Sequence, residues 1–180
     1  MTKKDQSISD LQGSQNLVFF LTIAFSLIPA NFITIIIKER EMNTKHLQII
    51  SGISYTSYWI TNFIFELVKY LFTGGVCVIL MMLFNNYSSE DKNIIVSLYL
   101  LNGVGMVSIT YLLSFLFVAE STAQNFTILF NYLLGPLSCT IVFVLKISGP
   151  STMTVAKTLS YILSVFPSFS FAYGMNQVLA

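Results

Sequence analysis

The chain has 180 residues, 54% hydrophobic and 9% charged, with a mean hydropathy of +0.74. Nine Lys and Arg and eight Asp and Glu fall well short of the roughly 25% charged residues of a soluble domain. That argues against a soluble enzyme and makes lipid the main solvent. The net charge of +1, without a basic patch, excludes a nucleic-acid partner.

The charges leave five uncharged stretches: Leu11–Ile37, Tyr70–Ser89, Asn93–Ala119, Ser121–Leu145 and Thr158–Ala180. A helix needs about 20 apolar residues to cross the hydrocarbon core, so there is room for four spans and a fifth apolar stretch. Residues 1–16, with Lys3, Lys4, Asp5 and Asp10, read as a polar N-terminal segment, and residues 17–180 as a partial transmembrane domain. The first apolar run is too long for a signal-peptide core, and no small-residue cleavage site follows it. It is predicted to stay as a span over 17–37, with Pro29 tolerated inside.

The densest charge cluster follows: Lys38, Glu39, Arg40, Glu41, Lys45 and His46. Met42, Ile49, Ile50 and Ile53 share a helical face, Glu41 and Lys45 stand at i, i+4, and Gly52 is a stop signal. Lys38–Ser51 is therefore expected as an amphipathic helix on the membrane surface. It is either a surface anchor or a docking helix for a soluble partner, and charges of both signs favour the latter over anionic lipid.

The second span, over 57–84, would be roughly 42 Å long, more than a ~30 Å core needs. Its start carries the interfacial aromatics Tyr55, Tyr58 and Trp59. Glu66 and Lys69 follow one turn apart. They either sit near the interface and pair with each other, or Glu66 contacts a partner half or lines a translocation path. After the polar loop Asn85–Asn93, the third span over 94–118 holds Asn102, Gly103 and Gly105, where small residues allow close helix contact. Asn102 joins Glu66 and Lys69 as a candidate for the translocation path or an interhelix contact. The fourth span over 126–145 has a kink signal at Gly135-Pro136. Gly149-Pro150 marks the next turn, and Pro167 and Gly174 break the last stretch, 158–180, which either dips into the membrane or crosses it.

Cys77 and Cys139 lie in apolar runs and read as packing residues, with no disulfide or metal implied. His46, the single histidine, cannot anchor a zinc site alone. The phosphate-binding loop, G-x-S-x-G and H-E-x-x-H are absent, so no catalytic or cofactor site is expected in this chain. The sequons at Asn86 and Asn125 are short motifs that arise by chance. Lys38, Arg40 and Lys45 on one side, against Lys3, Lys4, Lys92, Lys146 and Lys157 on the other, would place the amphipathic segment outside.

The block Phe25-Ser-Leu-Ile-Pro-Ala-Asn-Phe-Ile, Lys38-Glu-Arg-Glu, Lys45-His-Leu-Gln-Ile-Ile-Ser-Gly-Ile-Ser and Tyr58-Trp-Ile-Thr-Asn-Phe-Ile-Phe-Glu resembles the A subfamily of ABC transporters. That family carries E-R-E-x-x-x-K-H-L-Q-x-x-S-G followed by Y-W and an acidic residue. Tyr111-Leu-Leu-Ser-Phe-Leu-Phe, Ala123-Gln-Asn and Phe166-Pro-Ser-Phe-Ser-Phe-Ala-Tyr-Gly extend the similarity over nearly the whole chain after Leu17. The resemblance implies an all-α polytopic helical bundle, the membrane domain of an ABC exporter. The spans would be its helices two to five, 158–180 the re-entrant hairpin before helix six, and 38–51 the cytoplasmic coupling helix. Glu39, Arg40, Glu41, Lys45, His46 and Leu47 would then contact the ATPase domain, which reverses the orientation given by the charge tally.

The implied function is the membrane-domain portion of an ATP-driven transporter of lipids. Its partners would be membrane lipid, a nucleotide-binding domain and a second transmembrane half. The family's first helix, extracellular domain, sixth helix and ATP-binding domain have no counterpart in these residues. The resemblance therefore implies a fragment, with ATP and Mg bound on a nucleotide-binding domain outside it. The rivals are a standalone scaffold or regulatory subunit without ATPase, and an intramembrane enzyme, which the missing polar constellation disfavours.

Overall fold

The computed structural model describes residues 3–84 and 87–179, and among these not the side chains of residues 3–12, 14, 44–46, 84, 150 and 151. Every regular element among the described residues is helical. In order they are α1 (Lys3–Glu41), α2 (Thr44–Ile50), α3 (Tyr55–Phe84), α4 (Ser89–Ser114), α5 (Glu120–Tyr132), a π-helical turn (Leu133–Leu137), α6 (Ser138–Ser148), α7 (Pro150–Leu163) and α8 (Pro167–Leu179). Four stretches are long and apolar enough to cross a membrane: Gln15–Glu41, Tyr55–Leu83, Ser89–Ser114 and Glu120–Ser148. The α7 and α8 helices have 14 and 13 residues. At ~1.5 Å per residue each is about 20 Å long, short of a ~30 Å core.

Helix ends depart from the apolar runs wherever a polar residue serves them. Residues 1–16, expected as a polar segment, are helical from Lys3 onward. The third span starts at Ser89, ahead of the expected 94, because Ser88 Oγ accepts the Asp91 N–H (3.2 Å) and donates to its carboxylate (2.7 Å). This is a Ser-x-x-Asp form of the reciprocal cap. The fourth span starts at Glu120, ahead of 126, with an acidic residue at the positive end of the helix dipole. Within the helices, hydroxyls bond back to carbonyls of the preceding turn: Thr22 to Val18, Thr110 to Met106 and Thr127 to Ala123. Polar side chains thereby stay satisfied without water.

Two compact units divide the chain, one of residues 1–26, 88–102 and 131–180, the other of residues 27–87 and 103–130. The first has a core of Cys139, Val142, Ala156, Phe169 and Ala172, flanked by Leu145, Leu159, Leu163, Phe166 and Tyr173. Phe25 packs against Tyr99 and Phe171, with ring centroids 5.8 and 5.0 Å away. Ser168 Oγ donates to Asn131 Oδ1 in the buried interior (2.8 Å). Gly149, with φ 146°, turns the chain from α6 into α7, and Pro150 opens α7. Pro136 has no N–H to give to an α-helical ladder, and the chain widens around it into the π turn, with Gly135 and Pro136 buried.

The second unit packs Ile33, Ile37, Leu113 and Ala123, with Ile109, Phe117 and Phe130 against them. Trp59 of α3 stacks edge-on to Tyr111 (5.6 Å) and lies 5.8 Å from Phe115. Gly103 of α4 lets the fully buried Tyr70 ring of α3 approach its backbone. A Cβ there would stand 2.6 and 2.7 Å from two ring carbons. Gly103→Ala is therefore expected to destabilise the protein by about 1–3 kcal/mol through overpacking. Gly174→Ala meets only the movable ends of Leu98 and should cost less. Parallel thermal unfolding of the two variants checks the ranking.

Candidate functional site at the end of helix α1

Consecutive residues on a helix are about 100° apart, so Glu39, Arg40 and Glu41 point in three directions as α1 ends. Each reaches a different element of the second unit. The Tyr58 hydroxyl on α3 donates to Glu39 Oε2 at 2.6 Å. Arg40 Nη1 donates to the carbonyls of Ser114 (3.0 Å) and Phe117 (3.3 Å), where α4 gives out, and its guanidinium lies 5.8 Å from the Phe115 ring centre. The Glu120 N–H at the start of α5 donates to Glu41 Oε1 (3.3 Å). The signs suit the helix dipoles, with a cation at the C-terminal end of α4 and a carboxylate at the N-terminal end of α5. Arg40 also explains why the third span stops at Ser114 and not at 118: it takes up freed carbonyls at that point.

The expected helix over 38–51 is divided. Asn43 adopts a left-handed conformation (φ 54°), which Asn tolerates better than most residues, and its N–H donates to Arg40 O (3.2 Å). The short α2 follows and closes at Gly52, φ 100°, where Gly52 and Ile53 donate to the Ile49 and Gln48 carbonyls. The break removes the helical spacing between Glu41 and Lys45. Met42, Leu47 and Ile50 are left 67%, 66% and 78% exposed. Lys45 and His46 are in α2, but their side chains lie outside the described residues, and Asn86 lies outside them altogether.

Of the remaining candidates, Glu66 is 3% exposed within α3, and Lys69 Nζ lies 2.7 Å from both of its carboxylate oxygens. The ammonium also faces the rings of Phe32 (5.3 Å) and Phe65 (4.8 Å). Asn102 belongs to the first unit, is 3% exposed, and borders a cavity of about 170 Å³ with Leu98, Pro167 and Phe171. Cys77 is exposed and Cys139 buried. Among the described residues no group of His, Cys, Asp or Glu could hold a metal ion. Sequence reasoning missed Tyr58, Glu120 and the α4 carbonyls as partners of the acidic-basic-acidic triplet. Tyr58 had carried a signal only as an interfacial aromatic.

Four apolar spans and an anchored interfacial turn define a multi-pass helical membrane domain. The whole chain, residues 1–180, matches the family described as ABC-2 family transporter protein, and the chain belongs to that family. It is 34% identical over 183 residues to the retinal-specific phospholipid-transporting ATPase ABCA4 of Mus musculus, covering 97% of this chain and 8% of that protein. It is 28% identical over 174 residues to ATP-binding cassette sub-family A member 2 of Rattus norvegicus, covering 93% and 7%. The glucosylceramide transporter ABCA12 of Mus musculus is 31% identical over 186 residues, covering 97% and 7%. The chain thus spans under a tenth of the length of these relatives. It is an integral, multi-pass membrane domain of ABC A-subfamily type.

Proposed function

We propose that this domain serves an ATP-driven transporter that moves lipids, and that α2 receives the motion of a nucleotide-binding domain on which ATP and Mg are bound. A second transmembrane half would complete the path. The observation that carries this reading is the joining of an exposed apolar patch (Met42, Leu47, Ile50) to a triplet that holds three other elements. Covering such side chains contributes about 1.5–3 kcal/mol each, enough for a docking contact. Glu39 and Arg40 hold the chain's own helices, so Leu47 and Ile50, with Lys45 and His46 beside them, form the contact with the ATPase domain. A push on α2 reaches α1 through Asn43 and passes to α3, α4 and α5 as one rigid body. The names of the relatives, which include a phospholipid-transporting ATPase and a glucosylceramide transporter, support lipid as the substrate class.

The test is the double variant Leu47→Asp, Ile50→Asp in the full-length protein. Both side chains are exposed, so the thermal unfolding midpoint should hold while lipid-stimulated ATPase falls at least about tenfold, the loss of one buried apolar contact. Undiminished stimulation would remove the coupling role.

A further inference from the structure

The first unit contains a half-open cavity of about 210 Å³ lined by Gln15 of α1, Cys139, Val142, Phe143 and Lys146 of α6, and Tyr173, Asn176 and Gln177 of α8. Its polar wall is ordered. Gln15 Nε2 donates to Asn176 Oδ1 (2.6 Å), and Asn176 Nδ2 donates to Cys139 Sγ (2.9 Å). Lys146 Nζ donates to the Tyr173 hydroxyl (2.7 Å) and lies 4.4 Å from that ring's centre. These contacts fix the ammonium and leave it two further N–H donors. No lining residue is acidic, and among the described residues no carboxylate lies within ion-pair distance of Lys146. A half-buried ammonium without a counter-ion is costly unless an anion completes it.

We propose that this cavity holds the phosphate of a lipid headgroup, with Lys146 as its counter-charge and the Asn176 and Gln177 carboxamides as further donors. The depth is right: Lys146 stands two residues from the end of the span Glu120–Ser148, where a long cationic side chain meets the headgroup layer. The size is right as well. Whole small-molecule sites run about 300–1,000 Å³, so this cavity takes a headgroup and leaves the acyl chains on the apolar outside of α6, where Val144 and Ile147 are exposed. The choice of lipid as the source of the phosphate rests on the transport reading above.

The test measures binding of a fluorescent phosphatidic acid to the full-length protein in detergent micelles without nucleotide. A diacylglycerol with the same chains and fluorophore is the uncharged control. The protein should prefer the phosphatidic acid by about tenfold, the scale of one charge-assisted contact. Lys146→Gln and Lys146→Met, the second keeping the stem's packing, should erase the preference, and Lys146→Arg should keep most of it. Equal preference in any folded variant lacking the charge overturns the site. Displacement of the probe by millimolar inorganic phosphate overturns the lipid assignment, since the site would then take the free anion. Because no nucleotide is present, a lost headgroup preference leaves the α2 coupling reading standing, and failed coupling leaves this measurement standing.

Discussion

Lys69→Leu is expected to destabilise the protein by about 3–5 kcal/mol, because it strands the Glu66 carboxylate in an apolar interior. Glu66 has 4% of its side chain exposed and no other cation within ion-pair distance among the described residues. Glu66→Leu should cost less. The ammonium it leaves behind is 29% exposed and lies over two aromatic rings, so it can move toward water along its own stem. The double change Glu66→Leu, Lys69→Leu should come back close to the parent, since exchanging a buried pair for apolar side chains is often neutral or better. Thermal unfolding of the three variants in detergent decides the matter. A double variant as unstable as Lys69→Leu would mean that Glu66 serves something besides its neighbour.

Arg40→Ala should lower stability by about 1.5–3 kcal/mol for each of the two carbonyls it releases, and it should also disconnect α1 from the end of α4. Lys is a poor substitute, because a single ammonium lacks the planar fork that can address two acceptors at once. The expected signature in the full-length protein is a lowered unfolding midpoint together with lost lipid stimulation of ATPase, only partly restored by Arg40→Lys. The α2 surface variant Leu47→Asp, Ile50→Asp should lose stimulation with an unchanged midpoint. If Arg40→Ala kept full stimulation, the triplet would be a staple without a part in transmission.

The four spans were legible because lipid demands about 20 apolar residues in a row, and a charge inside such a run stands out. The turn at Gly149-Pro150 was legible because glycine and proline mark where a helix cannot continue. Helix ends were less so. Glu120, Ser121 and Gln124 are polar yet helical, and an apolar count starts that span too late. The triplet at the end of α1 was read from the family resemblance as facing a partner. Its actual contacts join residues 74 to 79 positions apart for Arg40 with Ser114 and Glu41 with Glu120, a separation no local pattern encodes. The division of 38–51 turned on one asparagine, whose left-handed backbone a helical wheel does not register.

The π turn at Leu133–Leu137 carries a consequence for how this domain tolerates change. A π turn is an α-helix holding one residue more than its ladder needs. Deleting a residue there would relax the backbone locally, yet everything beyond it would rotate by about 100°. Cys139 and Val142, now 3% and 1% exposed, would swing out of the first unit's core, and Lys146 would leave the cavity it lines. The single surplus residue acts as a phase setting for α6. Insertions and deletions in this domain should accordingly collect in the loops and spare this turn, even though the turn itself would be the easiest place to shorten the helix.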